Sequence, residues 1–67
     1  MNKNIFEGNW DQVKGKVQKN WGKLTNDNID VINGDRKILN GTIQEAYGVS
    51  QDEAEKQIRE WEKMMAA

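Results

Sequence analysis

The sequence predicts an all-α fold, a small bundle of about four helices arranged as two helix–turn–helix hairpins that pack on each other. Three observations predict it. Apolar residues recur at helical spacing, with Phe6, Trp10, Val13, Val17 and Trp21 on one stripe, and Val and Ile never alternate as a half-buried strand requires. Proline is absent, so no residue forces a helix to break. Glycines stand at 8, 15 and 22 and again at 34, 41 and 48, two runs at heptad spacing offset by 26 residues. Under that offset Val13 falls on Leu39, Val17 on Ile43, Gln18 on Gln44 and Trp21 on Tyr47. The pattern reads as an internal duplication. It divides a single domain, residues 1–67, into one hairpin over about 4–33 and another over about 34–66.

The elements follow in order. The first helix carries the stripe from Phe6 to Trp21 with Gly8, Gly15 and Gly22 on the opposite side. Glycine inside a helix costs about 0.5–1 kcal/mol relative to alanine, so Gly15 marks a weak point or a close contact. Gly22 is expected to end this helix in the left-handed conformation. Thr25 or Asn26 then caps a short second helix holding Ile29 and Ile32, and Asn33-Gly34 closes it. Asp35 caps the third helix, whose stripe is Leu39, Ile43, Ala46 and Tyr47, and Gly48 ends it. Ser50-Gln51-Asp52-Glu53 has the form of a capping box, in which the Ser hydroxyl and Glu carboxylate satisfy opposite amides. The fourth helix carries Ala54, Ile58, Trp61 and Met65, with Met64 and Met65 at a frayed end. Trp10, Trp21 and Trp61 lie in the stripes and are expected to anchor the core.

Composition limits what such a bundle does. A chain of 67 residues builds one small core, with a net stability of roughly 3–5 kcal/mol. Mean hydropathy is −0.98 and charged residues make up 31%, which places the fold near the disordered margin. No apolar run approaches the length of a membrane span, and the first residues lack the apolar region of a signal peptide. Together with the absence of cysteine this makes the cytoplasm the expected location and gives no reason to expect a membrane partner. The net charge of −1 is unevenly spread. Residues 1–25 hold five lysines against Glu7 and Asp11, a net of +3; residues 26–67 hold five basic and nine acidic side chains, a net of −4.

Catalytic signals are lacking. Neither histidine nor cysteine occurs, so the usual general bases, nucleophiles and zinc ligands are missing, and no catalytic residue, metal site or cofactor is predicted. The glycines are seven apart and form no phosphate loop. Glu55 and Arg59 pair at i, i+4 as ordinary helix support. Gly48-Val49-Ser50, followed by Ala54 and Ile58, resembles the helix–hairpin–helix element with Ser for its second glycine, but Asp52, Glu53 and Glu55 would repel a phosphate there. Lys16, Lys19 and Lys23 fall on one helical face with Lys14 further round. These four are the candidate nucleic-acid contacts, set against the blander reading of a solvated charged face.

A longer match extends over some 55 residues. Asn9-Trp10-x2-Val13-Lys14-Gly15-Lys16-Val17 and Trp21-Gly22-Lys23-Leu24-Thr25-x-Asp27 resemble the CsbD-like family of small bacterial stress proteins. Leu39-x-Gly41-x-Ile43-Gln44-x2-Tyr47-Gly48 and Ala54-Glu55-x2-Ile58-x2-Trp61 continue the likeness. Thr42 and Ala46 depart from it, standing where the family often has basic residues. The resemblance implies two α-hairpins packed crosswise and induction under general stress in the bacterial cytoplasm, and it implies no catalytic or ligand residues. The expectation is a monomeric, non-enzymatic, hydrophilic stress protein whose glycine pattern is similar to that of the hydrophilins, which shield other proteins during water loss. A nucleic-acid-binding accessory protein is the alternative.

Overall fold

A computed structural model of the chain describes residues 4–66, with side chains from Trp10 to Met65. Phe6 and Gly8, placed on the first helix by the sequence pattern, lie outside the described side chains. Four helices follow in order: α1 (Asn4–Asn20), α2 (Asn26–Ile32), α3 (Arg36–Tyr47) and α4 (Gln51–Ala66). No strand occurs among the described residues. The all-α bundle is therefore the fold.

Local chemistry sets most boundaries. Thr25 caps α2: its Oγ1 accepts from the Asn28 N–H at 3.1 Å, and its own N–H donates to Asn28 Oδ1 at 2.9 Å. That reciprocal pair is a capping box built with Asn in place of the usual Glu or Gln. Asn33 ends α2 at φ 43°, and Gly34 follows at φ 83°. Two consecutive residues in the left-handed region reverse the chain within one turn. Asp35 then caps α3, its Oδ1 accepting from Lys37 N–H at 2.8 Å and Ile38 N–H at 3.3 Å. Gly48 ends α3 at φ 65°.

Three expectations are corrected. Gly22 is not left-handed; among the described glycines only Gly34 and Gly48 have positive φ. The turn after α1 is closed instead by the Leu24 N–H donating to Trp21 O at 3.0 Å. Only half of the box at α4 forms: Ser50 Oγ accepts from Glu53 N–H at 3.1 Å, while the Glu53 carboxylate accepts from Gln57 Nε2 at 3.1 Å. The end of α4 is not frayed at the methionines. The helix runs to Ala66, with Met65 packed against the core and Met64 exposed.

One apolar cluster holds the four helices together. α1 contributes Val13 and Val17, the following turn Trp21 and Leu24, and α2 Ile29 and Ile32. Leu39 and Ile43 from α3 and Ala54, Ile58 and Trp61 from α4 complete it. Trp21 and Trp61 meet edge to face, their ring centroids 5.4 Å apart. Trp10 is half-buried against this cluster rather than within it. All three tryptophans therefore do serve the core.

Candidate functional site

The most organised polar cluster joins the start of α3 to one face of α4. Glu55, Arg59 and Glu62 stand one and two turns apart on α4, and Arg36 opens α3 opposite them. The Arg36 guanidinium donates to both Glu55 oxygens, Nη1 to Oε1 and Nη2 to Oε2, each at 2.8 Å. The same group reaches Glu62, Nε to Oε2 at 3.0 Å and Nη2 to Oε1 at 3.3 Å. Arg59 Nε donates to Glu55 Oε2 at 3.0 Å. Only Arg supplies a planar fork able to hold two carboxylates at once.

Burial makes this cluster consequential. The Glu62 side chain is 3% exposed, whereas Arg59 is 72% exposed. Hydrogen bonds to Glu55 first and Glu62 second hold the Arg36 guanidinium well above its ordinary value, outweighing its partial burial. Glu55 is held below the usual carboxylate range, chiefly by the hydrogen bond from Arg36 and less by Arg59, against the opposing effect of burial. Both directions favour the charged forms. The arrangement is a clamp between two helices. Both carboxylate oxygens of Glu55 and both of Glu62 accept from Arg36.

The sequence reading recognises the Glu55–Arg59 pair and misses its partner. Arg36 lies 19 residues before Glu55 and 26 before Glu62, beyond the reach of any local spacing rule. One signal was present: Glu55 and Glu62 are seven apart, bordering the Ile58–Trp61 stripe, so two acids edge one buried face.

The four candidate lysines are dispersed. Lys14 and Lys16, two positions apart on α1, point to nearly opposite sides of the helix. Lys14 Nζ lies 3.7 Å from Asp11 Oδ1, both groups being largely exposed. Lys16 and Lys19 are exposed on α1 with no partner among the described residues. Lys23 falls beyond the helix end, its Nζ 5.2 Å from the Tyr47 ring centroid and its N–H donating to the Tyr47 hydroxyl at 3.1 Å. Among the described residues no group of three or more acidic side chains is placed to hold a metal ion, and no helix is long and apolar enough to cross a membrane.

Comparison with known proteins adds the family. The sequence profile of the CsbD-like family matches residues 4–56. The chain belongs to the CsbD-like family. It is 54% identical over 63 residues to the UPF0337 protein YjbJ of an O6:H1 strain of Escherichia coli, covering 94% of this chain and 91% of that protein. It is 52% identical over 62 residues to the UPF0337 protein ECA0631 of Pectobacterium atrosepticum, covering 92% and 90%. With the UPF0337 protein XAC4007 of Xanthomonas axonopodis pv. citri it shares 43% identity over 65 residues, covering 97% and 94%. No solved structure matches this chain. Within this CsbD-like chain, Arg36 and Glu55 fall inside the matched stretch and Glu62 falls after it.

Proposed function

We propose that this CsbD-like chain is a non-enzymatic stress protein of the cytoplasm that acts through abundance and a soft, hydrated surface, protecting other proteins as water is withdrawn. One observation carries this reading. A Cβ added at Gly15, Gly22 or Gly41 would meet no atom within 4 Å, and none of the three has the positive φ that favours glycine. Neither packing nor backbone geometry within the chain requires them. Two of them lie mid-helix, where each forgoes about 0.5–1 kcal/mol of helix stability. In a chain with so little to spare, this keeps the helices close to opening. Gly34 does not share the role, because its φ of 83° serves the turn after α2.

The test is to dry a desiccation-sensitive enzyme with the purified protein and, separately, with an equal mass of albumin. Recovered activity is expected to be higher with this protein, and its helicity by circular dichroism is expected to rise as water activity falls. A variant carrying both Gly15→Ala and Gly41→Ala should protect less. Protection no better than albumin overturns the proposal.

The alternative is a nucleic-acid accessory protein. It is supported by Lys16 and Lys19, which are exposed and unpaired among the described residues. It predicts binding to short duplex or single-stranded nucleic acid that weakens steeply with salt. Reversing the charge of Lys16 and Lys19 should abolish that binding and leave helix content unchanged.

A further inference from the structure

The outward face of α3 is formed by Lys37, Ile38, Gly41, Thr42 and Glu45, the side opposite the buried Leu39 and Ile43. Ile38, Gly41, Thr42 and Glu45 of this face floor an open groove of about 910 Å³ beside α2, where Val31 is 65% exposed and Ile38 39% exposed, and Lys37 stands outside it. The Thr42 hydroxyl is already used, donating to Ile38 O at 2.7 Å. Gly41 sits at the centre of this face with open space before it. The charges on either side are placed against the interest of their own helix. Lys37 stands in the first turn of α3 and Glu45 in the last, each at the end where the helix dipole disfavours its sign. Neither has an ion-pair partner among the described residues. They also stand four residues before and four residues after Gly41.

That symmetry identifies an occupant. We propose that the outward face of α3 is a self-association surface, on which a second copy of this chain docks its own α3 antiparallel, crossing at Gly41. In such a two-fold pair, position 41 − k of one helix faces position 41 + k of the other. Lys37 of each copy then meets Glu45 of its partner, and two ion pairs close across the axis. Each charge also comes to lie beside the oppositely signed end of the neighbouring helix. The missing side chain at Gly41 lets the two backbones approach closely at the crossing. Ile38 and Val31 cover apolar surface on the partner. The sequence by itself points to a monomer, whereas this face argues for a weak, concentration-dependent dimer of the small transient class. The inference is independent of the protective reading, since a chain that dimerises here need not protect anything.

Sedimentation equilibrium on the full chain, from micromolar to millimolar concentration, tests it. The weight-average mass is expected to move from the single-chain 7.7 kDa towards twice that value. A Cβ at position 41 meets no neighbour within the monomer, and from there the Gln of Gly41→Gln can extend into the open groove, so this variant should leave the monomer folded and weaken association roughly tenfold or more. Lys37→Glu should weaken it by about tenfold, because two attractive pairs become repulsive. Adding Glu45→Lys to that variant recreates both pairs in reverse and should recover much of the lost association, short of wild type because each charge now faces the like-signed end of the neighbouring helix. A mass fixed at one chain throughout overturns the proposal. So does association that ignores Gly41→Gln, or a double charge swap that associates no better than Lys37→Glu alone.

Discussion

An alanine at Gly15 or Gly41 meets no neighbour and removes backbone freedom from the unfolded chain. Each substitution is expected to raise stability by about 0.5–1 kcal/mol, read as a higher thermal midpoint at low protein concentration. The same change at Gly48 should do the opposite. Its φ of 65° forces a side chain into the left-handed region, at a cost of about 1 kcal/mol or more. The contrast separates glycines that shape the chain from glycines that loosen it, a distinction their even spacing in the sequence conceals. Arg36 is the other decisive position. Arg36→Ala strands the buried Glu62 without its guanidinium, a loss of about 3 kcal/mol. For so small a core that leaves only about 0–2 kcal/mol, so the variant should melt far below the wild type and be partly unfolded at room temperature by circular dichroism. Replacing Arg36 by Met and Glu55 and Glu62 by Gln and Leu together should recover the fold, because the charge left unpaired does the damage, not the missing clamp.

The four helices differ in what secures them. α2 has only seven residues and depends on its ends, the reciprocal Thr25–Asn28 pair and the Asn33-Gly34 reversal. Thr25→Ala is expected to cost about 1 kcal/mol and to speed amide exchange in α2 before the rest of the chain. α3 and α4 are secured by charge, and this link responds to acid. Glu55 in the folded chain titrates below its ordinary 4.5, so its proton is bound less readily folded than unfolded. Its contribution is complete above that ordinary value and is lost as pH falls through the lowered folded one. Thermal melts should therefore stay level from neutral pH down to about 5 and fall steeply only in stronger acid. Glu55→Gln should be less stable at neutral pH and lose less on acidification. Much of this level was legible in the sequence. Caps at Asp35 and Thr25 and the stop at Gly48 follow from side-chain chemistry within a few residues of each boundary. The turn at Gly22 was not, because a bond from Leu24 to Trp21 closes it without help from a glycine. The Arg36 clamp was not either, since nothing local links residue 36 to residues 55 and 62.

Seen whole, the molecule has a radius of gyration of 10.7 Å, close to the roughly 11 Å of a compact chain of this length. Every described buried side-chain nitrogen and oxygen has a hydrogen-bond partner. The apolar stripes foretold the single cluster almost residue for residue, because helical periodicity registers burial directly. The candidate lysines fared differently. A helical wheel says which residues share a side of one helix, but not that α1 stops at Asn20 or that Lys23 settles over Tyr47. Mid-helix glycines beside a core whose described buried polar atoms are all satisfied allow helix content and core packing to be followed separately, and the edge-to-face contact of Trp21 and Trp61 offers a way to see both. Two indoles 5.4 Å apart share their electronic excitation, which splits their far-ultraviolet dichroism into bands of opposite sign. The couplet survives only while the turn after α1 stays seated on α4. A drying chain that gains helical signal and keeps the couplet has tightened its native structure; one that gains helix and loses the couplet has exchanged that structure for extended rods.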